Sequence, residues 1–515
     1  MRHHPRMTDL FGRRPTEEPG LRFHASGVPR HLPVPDAALP GLLDGAAHRY
    51  GGRTALVCER RRIGFRELRR TAVRIAEALA QLGVRRGDQI ALLLPDCPEM
   101  VVMCHAVWRL GAVVVPGDIT DHRRAVAHAV AAVVPDDRAA EVAQTGGRTA
   151  LRAVVTVEVA RTPRGGHRRT GAPGPDAARR TRGPVAEPAP GVDPPGGARP
   201  PGPGRTVSVR GPDRGSRDTA DRTRRPGPPD ASGARDGRAQ RRPVVVVAYR
   251  DLDPRRSRRP DSTADRDWSG GALPEDVAVV VHRRDGTSIP LRHRHLMAPA
   301  HQIAAWHTGP VPRRPRLLSL VPLWRTRSLV TSLAATLTGT RAVLVPGGDP
   351  LSALRAARRH APTVLLASPA DLRRLLERPA HEWEALGTVR TVVTAPLDAA
   401  TGERVRAALD ARVVEAYGPE AAAGVALANP LTADARPGTA GLALPGTRVR
   451  IAVEGFPDVD VLPGDAGELL LRGPQVAERR GGPAGGWLRT GRLAVRGPDG
   501  FVTLIGDGAG PGGAE

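Results

Sequence analysis

Apolar residues recur at Leu68, Ala72, Ile75, Ala76, Leu79 and Leu82, a 3.6-residue period that predicts an amphipathic helix over residues 65–83, with Gly83 as its stop. Leu42, Leu43, Ala46 and Ala47 repeat the same spacing and predict an earlier helix. Between them, residues 54–58 and 62–64 read as two short strands around a charged turn. The apolar run 90–94 predicts a buried strand. Residues 98–110 follow as a helix stopped by Gly111, and 112–115 as another strand. Strand, helix, strand with short connections predicts a parallel sheet.

The same texture returns near Leu273. Residues 277–281, 317–321, 342–345, 364–367, 389–393 and 413–416 read as strands, and 351–360, 370–376 and 400–409 as helices between them. From Gly438 the pattern shifts to short strands and turns at 448–453, 467–471 and 501–505, which predicts a small β subdomain. The expected fold class is α/β. Its expected parts are an N-terminal arm 1–37, a first α/β part 38–120, a second α/β part 272–437, a β subdomain 438–506 and a tail 507–515.

The intervening stretch differs in kind. Residues 161–242 hold 15 Pro, 15 Gly and 19 Arg against 8 acidic residues, and their only large apolar residues are Val185, Val192, Val207 and Val209. Such a composition cannot bury enough surface to offset chain entropy, so it predicts disorder. The flanks 121–160 and 243–271 give no decisive pattern. The whole of 121–271 is therefore expected to be low-complexity, Arg/Pro/Gly-rich and largely disordered, with the texture of a GC-rich coding sequence read out of frame.

Composition changes the picture in one respect. The chain has 515 residues and a formal net charge of +24, yet contains no lysine, and Asn429 is its single asparagine. This bias is first a mutational signature. Much of the excess charge lies in residues 161–242, and no basic helix with interleaved aromatics appears, so no specific nucleic-acid partner is expected. Cys58, Cys97 and Cys104 fit neither a disulfide framework nor a zinc site. No apolar run is long enough to span a membrane and no signal-type segment is present, so a cytoplasmic protein is expected. His293, His295, His301 and His307 lack a carboxylate or thiolate partner at ligand spacing and read as a solvated helix rather than a metal site.

The order of several motifs carries a family resemblance. Phe65-Arg-Glu-Leu68, Leu82-Gly-Val-Arg-Arg-Gly-Asp88, Leu93-Leu-Pro-Asp-Cys-Pro-Glu99, Gly111-Ala-Val-Val-Val-Pro116 and Pro274-Glu-Asp-Val-Ala278 follow in sequence. Glu415-Ala-Tyr-Gly-Pro-Glu420, Pro445-Gly-Thr-Arg-Val-Arg450, Gly464-Asp-Ala-Gly-Glu-Leu469 and Trp487-Leu-Arg-Thr-Gly491 come later. Together they resemble the adenylate-forming (AMP-binding) superfamily, in particular long-chain fatty acyl-CoA synthetases. The resemblance implies the large N-terminal domain of those enzymes. It also implies ATP-dependent activation of a carboxylic acid to an acyl-adenylate, followed by thioester formation with coenzyme A. ATP, Mg2+ and coenzyme A are the implied cofactors, and a small-molecule carboxylate and a nucleotide the implied partners.

The resemblance also marks the site residues. Gly286, Thr287 and Ser288 match the start of the family's phosphate loop, whose Pro-Lys-Gly end is missing here, and Asp285 beside them would repel a triphosphate. Ala395 and Pro396 match the adenine-lining segment without its glycines. Tyr417 and Gly418 match the adenine-stacking signature, which lacks its threonine. Glu420 matches the magnesium-binding glutamate, the one candidate catalytic residue and possible Mg2+ ligand. Thr490 matches the ribose-side segment, where Arg492 replaces an aspartate and Asp507 stands where the family has arginine. The family's histidine before the acyl tunnel is Arg325 in Pro322-Leu-Trp-Arg325. The family's small C-terminal domain, which carries the catalytic lysine, is expected to be absent after residue 506. The implied activity is therefore expected to be impaired or lost. The alternative is a non-catalytic pseudoenzyme or decayed gene product that binds nucleotide, acyl chain or a partner protein.

Overall fold

The computed structural model describes residues 22–24, 27–29, 32–145, 149–159, 244–252, 271–283, 285–307, 315–432, 434–477 and 486–507. The expected disorder of residues 161–242 lies outside the described residues, as do Arg284 and the tail from residue 508.

Three sheets organise the described residues. The first runs, from edge to edge, Val245–Ala248, Ala153–Val157, Ala129–Pro135, Gln89–Leu92, Val113–Pro116, Val277–His282 and Ser288–Arg292. It is parallel except for its last two strands, which form an antiparallel hairpin. The second has nine strands in the order Leu442–Ala443, Leu427–Ala428, Arg412–Tyr417, Thr391–Thr394, Val364–Leu366, Arg316–Ser319, Arg341–Leu344, Thr54–Cys58 and Arg61–Gly64. Its six central strands are parallel, and antiparallel pairs close both edges. The third is antiparallel: Phe456–Asp460, Arg448–Val453, Ala466–Arg472, Leu488–Arg496 and Val502–Asp507.

Helices join the first two sheets around one core. The apolar stripe expected over residues 65–83 forms the helix Phe65–Gln81 and buries Phe65, Leu68, Ala72, Val73, Ile75, Ala76 and Leu79. It packs on helices Leu39–Tyr50 and Pro98–Arg109. Every residue of Pro98–Arg109 is buried, and the Trp108 Nε1–H donates to the Ala278 carbonyl oxygen at 3.0 Å, tying the helix to the first sheet. Helices His293–Trp306 and Thr326–Thr338 pack against each other in the same core.

Two expectations are corrected. Residues 121–159 and 244–252, assigned above to a largely disordered stretch, build three strands of the first sheet and the helices His122–Val126, Ala139–Thr145 and Tyr249–Leu252. The cause is side-chain size. The strand Ala129–Pro135 (AVAAVVP) is alanine and valine up to its final proline, so it buries four consecutive residues without the large apolar signal. The helix His293–Trp306 is not solvated at its first two histidines. His293 and His295 are buried, and burial holds both imidazoles down to a pKa of about 4. The Leu39 N–H donates to His293 Nδ1 at 3.3 Å and the Arg292 N–H to His295 Nδ1 at 3.2 Å. The flanking arginines disguise this face as polar.

Candidate functional site

Parallel sheets present their ligand sites at the carboxyl ends of the strands. In the second sheet, Thr391–Thr394 and Arg412–Tyr417 run side by side, with Thr394 in register with Glu415. Ala395 and Pro396 leave the end of one strand, while Tyr417, Gly418 and Glu420 leave the other, so these five candidate residues come together. Glu415 fixes the geometry. It is buried, burial raises its carboxyl pKa, and it accepts from the Leu397 N–H at 2.8 Å and from the Gly438 N–H at 2.8 and 3.0 Å. An acid inside Val413-Val-Glu-Ala416 was the available sequence signal for this loop anchor.

Tyr417 is itself buried, and its carbonyl oxygen accepts from the Ala426 N–H at 2.8 Å. Gly418 is required by close approach: a Cβ there would lie 2.5 Å from the Val425 nitrogen and 2.7 Å from the Ala426 nitrogen. Glu420 opens the single helical turn Glu420–Ala422, which lies against the strand Ser288–Arg292 of the first sheet. The Gly286–Ser288 segment leads into that same strand.

The Gly286–Ser288 segment is a closed hairpin turn. Gly286 takes φ +85°, and its N–H donates to the Arg283 carbonyl oxygen at 3.1 Å. The Arg283 N–H donates to the Thr287 carbonyl oxygen at 2.9 Å. The Asp285 carboxylate accepts from both the Thr287 N–H, at 2.8 Å, and its hydroxyl, at 2.6 Å. Ser288 Oγ lies 2.8 Å from His282 Nδ1. The donors that an anion would need are therefore engaged, and the group engaging Thr287 is itself an anion. Among the described residues no group of three or more His, Cys, Asp or Glu side chains is arranged to hold a metal ion.

Thr490 is placed in the third sheet, where it is buried and its hydroxyl donates to the Leu469 carbonyl oxygen at 2.8 Å. Its hydroxyl is thus used by the sheet. Arg492 stands in register opposite Asp507 on the next strand.

A cavity of about 440 Å3 lies between the second sheet and the helices His293–Trp306 and Thr326–Thr338. Leu317, Val364, Val393 and Val414 line it from four adjacent strands; Ala334 and Ala335 line it from a helix. Its polar wall residues are largely satisfied within their own helices. Thr331 Oγ1 donates to the Arg327 carbonyl oxygen at 2.8 Å, Thr338 Oγ1 to that of Ala334 at 2.9 Å, and His307 Nδ1 lies 2.8 Å from that of Ile303. Arg327 also lines it, its Nε donating to the Gly424 carbonyl oxygen at 3.2 Å; the rest of the lining is mostly apolar, and the volume is within the range of small-molecule sites. Sequence reading missed these wall residues. The small residues Thr331, Ala334, Ala335 and Thr338, at helical spacing, were the available signal.

Loops gathered at the carboxyl edge of a parallel sheet, beside a mostly apolar cavity, mark an α/β protein with its site at the strand ends. The family profile described as AMP-binding enzyme matches residues 43–158 and 288–479, and the chain belongs to that family. The profile resumes only at Ser288, so the 283–287 turn falls outside the match.

Among curated proteins, the chain is 21% identical over 506 residues to a long-chain-fatty-acid–CoA ligase of Bacillus subtilis (strain 168), covering 95% of this chain and 80% of that one. It is 28% identical over 472 residues to 3-[(3aS,4S,7aS)-7a-methyl-1,5-dioxo-octahydro-1H-inden-4-yl]propanoyl:CoA ligase of Mycobacterium tuberculosis (strain ATCC 25618 / H37Rv), covering 89% and 76%. Among solved structures, an anthranilate CoA ligase in complex with anthranoyl-AMP superposes with a TM-score of 0.68 at 18% identity, covering 92% of this chain and 79% of that one. A long-chain-fatty-acid-CoA ligase from Archaeoglobus fulgidus gives 0.65 at 15%, covering 94% and 87%. These structures share the fold. No helix among the described residues is long and apolar enough to cross a membrane.

Proposed function

We propose that this chain is an AMP-forming acyl-CoA ligase by descent that binds an apolar carboxylic acid in its cavity and is impaired in adenylating it. The observation that carries this reading is the Asp285 turn. A triphosphate approaching Thr287 would meet a carboxylate already holding its N–H and hydroxyl. Stabilising transferring phosphoryl groups depends on preorganised donors and cations. The residues present do not fit a triphosphate cradle. The relatives named above, which are CoA ligases, support the carboxylic acid as ligand, and so does the apolar lining of the cavity. Coenzyme A is the acceptor implied by the same relationship. A binding role without turnover follows as the corollary of this reading.

Filling the cavity tests the acid site. Ala335→Phe places a ring among Leu317, Val393 and Val414. Displacement of a fluorescent long-chain fatty acid is expected to weaken by at least about tenfold, the scale of losing a few buried methylene contacts. Unchanged displacement in a folded variant would remove the cavity from the account.

A further inference from the structure

The outer face of helices Leu39–Tyr50 and Phe65–Gln81 carries a second cleft, of about 360 Å3, lined by Asp44, Ala47, His48, Arg66, Arg69 and Arg70. Arg66 and Arg70 are one helical turn apart and exposed, and neither has a hydrogen-bond or ion-pair partner among the described residues. Like charges at this spacing disfavour the helix. The single acid of the cleft is already shared. Asp44 Oδ1 accepts from Arg69 Nε at 2.8 Å and from Arg109 Nη2 at 2.6 Å, while Oδ2 accepts from Arg109 Nη1 at 3.2 Å. Arg69 is thus held through Nε alone, and its two Nη groups make no bond among the described residues.

We propose that this cleft binds a small compound carrying two or more phosphate groups. The cleft sets the guanidinium groups of Arg66, Arg69 and Arg70 against one carboxylate, so a singly charged ligand would leave it under-neutralised. Guanidinium forks match phosphate oxygens bidentately. The volume suits a compact ligand and not a polymer. Asp44 orients Arg69 from below while Arg66 and Arg70 supply the unspent donors. Nothing in this inference depends on the ligase reading, because the cleft shares no residue with the loop cluster or the apolar cavity.

Calorimetric titration of the full chain with inorganic pyrophosphate tests it. Wild type is expected to bind saturably and Arg66→Gln/Arg70→Gln to bind at least about tenfold more weakly, with affinity falling as salt rises. Arg358→Gln/Arg359→Gln, which removes two exposed arginines from the helix Pro350–His360, is expected to bind as wild type does. All four positions are exposed, and circular dichroism checks that the variants fold. Three outcomes would overturn the proposal: no saturable binding, equal weakening in both double variants, or Arg66-dependent binding of phosphatidylserine vesicles without pyrophosphate binding.

Discussion

Gly418→Ala is expected to destabilise the protein by roughly 3–5 kcal/mol, at the top of the range for a single substitution. The added Cβ would stand 2.5 Å from the Val425 nitrogen, 2.6 Å from its Cα and 2.7 Å from the Ala426 nitrogen. All three are backbone atoms, so no side-chain rotation relieves the clash. The Tyr417–Leu427 and Ala416–Ala428 pairs would have to separate, and with them the Ala426 N–H to Tyr417 carbonyl bond at 2.8 Å. The cost therefore falls on the same strand end that presents Tyr417 and Glu420. Urea unfolding of wild type and variant measures it. A change below about 1 kcal/mol would mean that the strand after Tyr417 is not packed as described.

The second large effect depends on pH. Asp96 is buried in the loop after the strand Gln89–Leu92, where its Oδ1 accepts from the Leu323 N–H at 2.8 Å. Burial raises its carboxyl pKa from 3.8 to about 7. A raised folded-state pKa means that the folded chain holds this proton more tightly than the unfolded chain does. The stabilisation is fully present below pH 3.8 and is lost as pH rises to about 7. At 1.36 kcal/mol per unit the span is roughly 4 kcal/mol. Asp96→Asn keeps the acceptor oxygen and removes the titration. The variant's stability relative to wild type is expected to climb by a few kcal/mol between pH 4 and pH 8. The buried histidines His105, His293 and His295, whose pKa values are lowered, act in the opposite direction, losing stability below about pH 6.5, but cancel in this difference. Parallel stability curves would show that Asp96 is not the group described. Leu323 opens the way into the cavity-lining helix Thr326–Thr338, so the same variant reports on how firmly that segment is held.

Much of this fold was legible in the sequence because its helices carry a clean 3.6-residue stripe and its central strands are short apolar runs. The helix at Phe65–Gln81 and the strand Arg412–Tyr417 differ from expectation only by a residue or two at their ends. The motif order carried the family, because each motif is a short contiguous stretch that can be read without knowing the fold. Three things were not legible, each for a physical reason. Strands of alanine and valine, such as Ala129–Pro135, bury as fully as leucine strands but give little signal. The burial of His293 and His295 depends on what packs over them, and that includes Leu39, 254 positions from His293. The cavity exists only between segments that meet in space, with lining residues spread from Ile303 to Leu444. That no Pro-Lys-Gly follows Ser288 was readable directly. That Asp285 folds back onto Thr287 was not, since it depends on the two strands of the hairpin pairing in one register.

Carboxylate-dependent exchange of labelled pyrophosphate into ATP measures adenylation directly and tests whether this chain keeps an acid site without a working phosphate cradle. With straight-chain acids from acetate to palmitate, no exchange above background is expected, while the same preparation binds a long-chain acid saturably. Exchange that saturates in both ATP and acid would contradict the account and would mean that the Asp285 turn opens to admit the nucleotide.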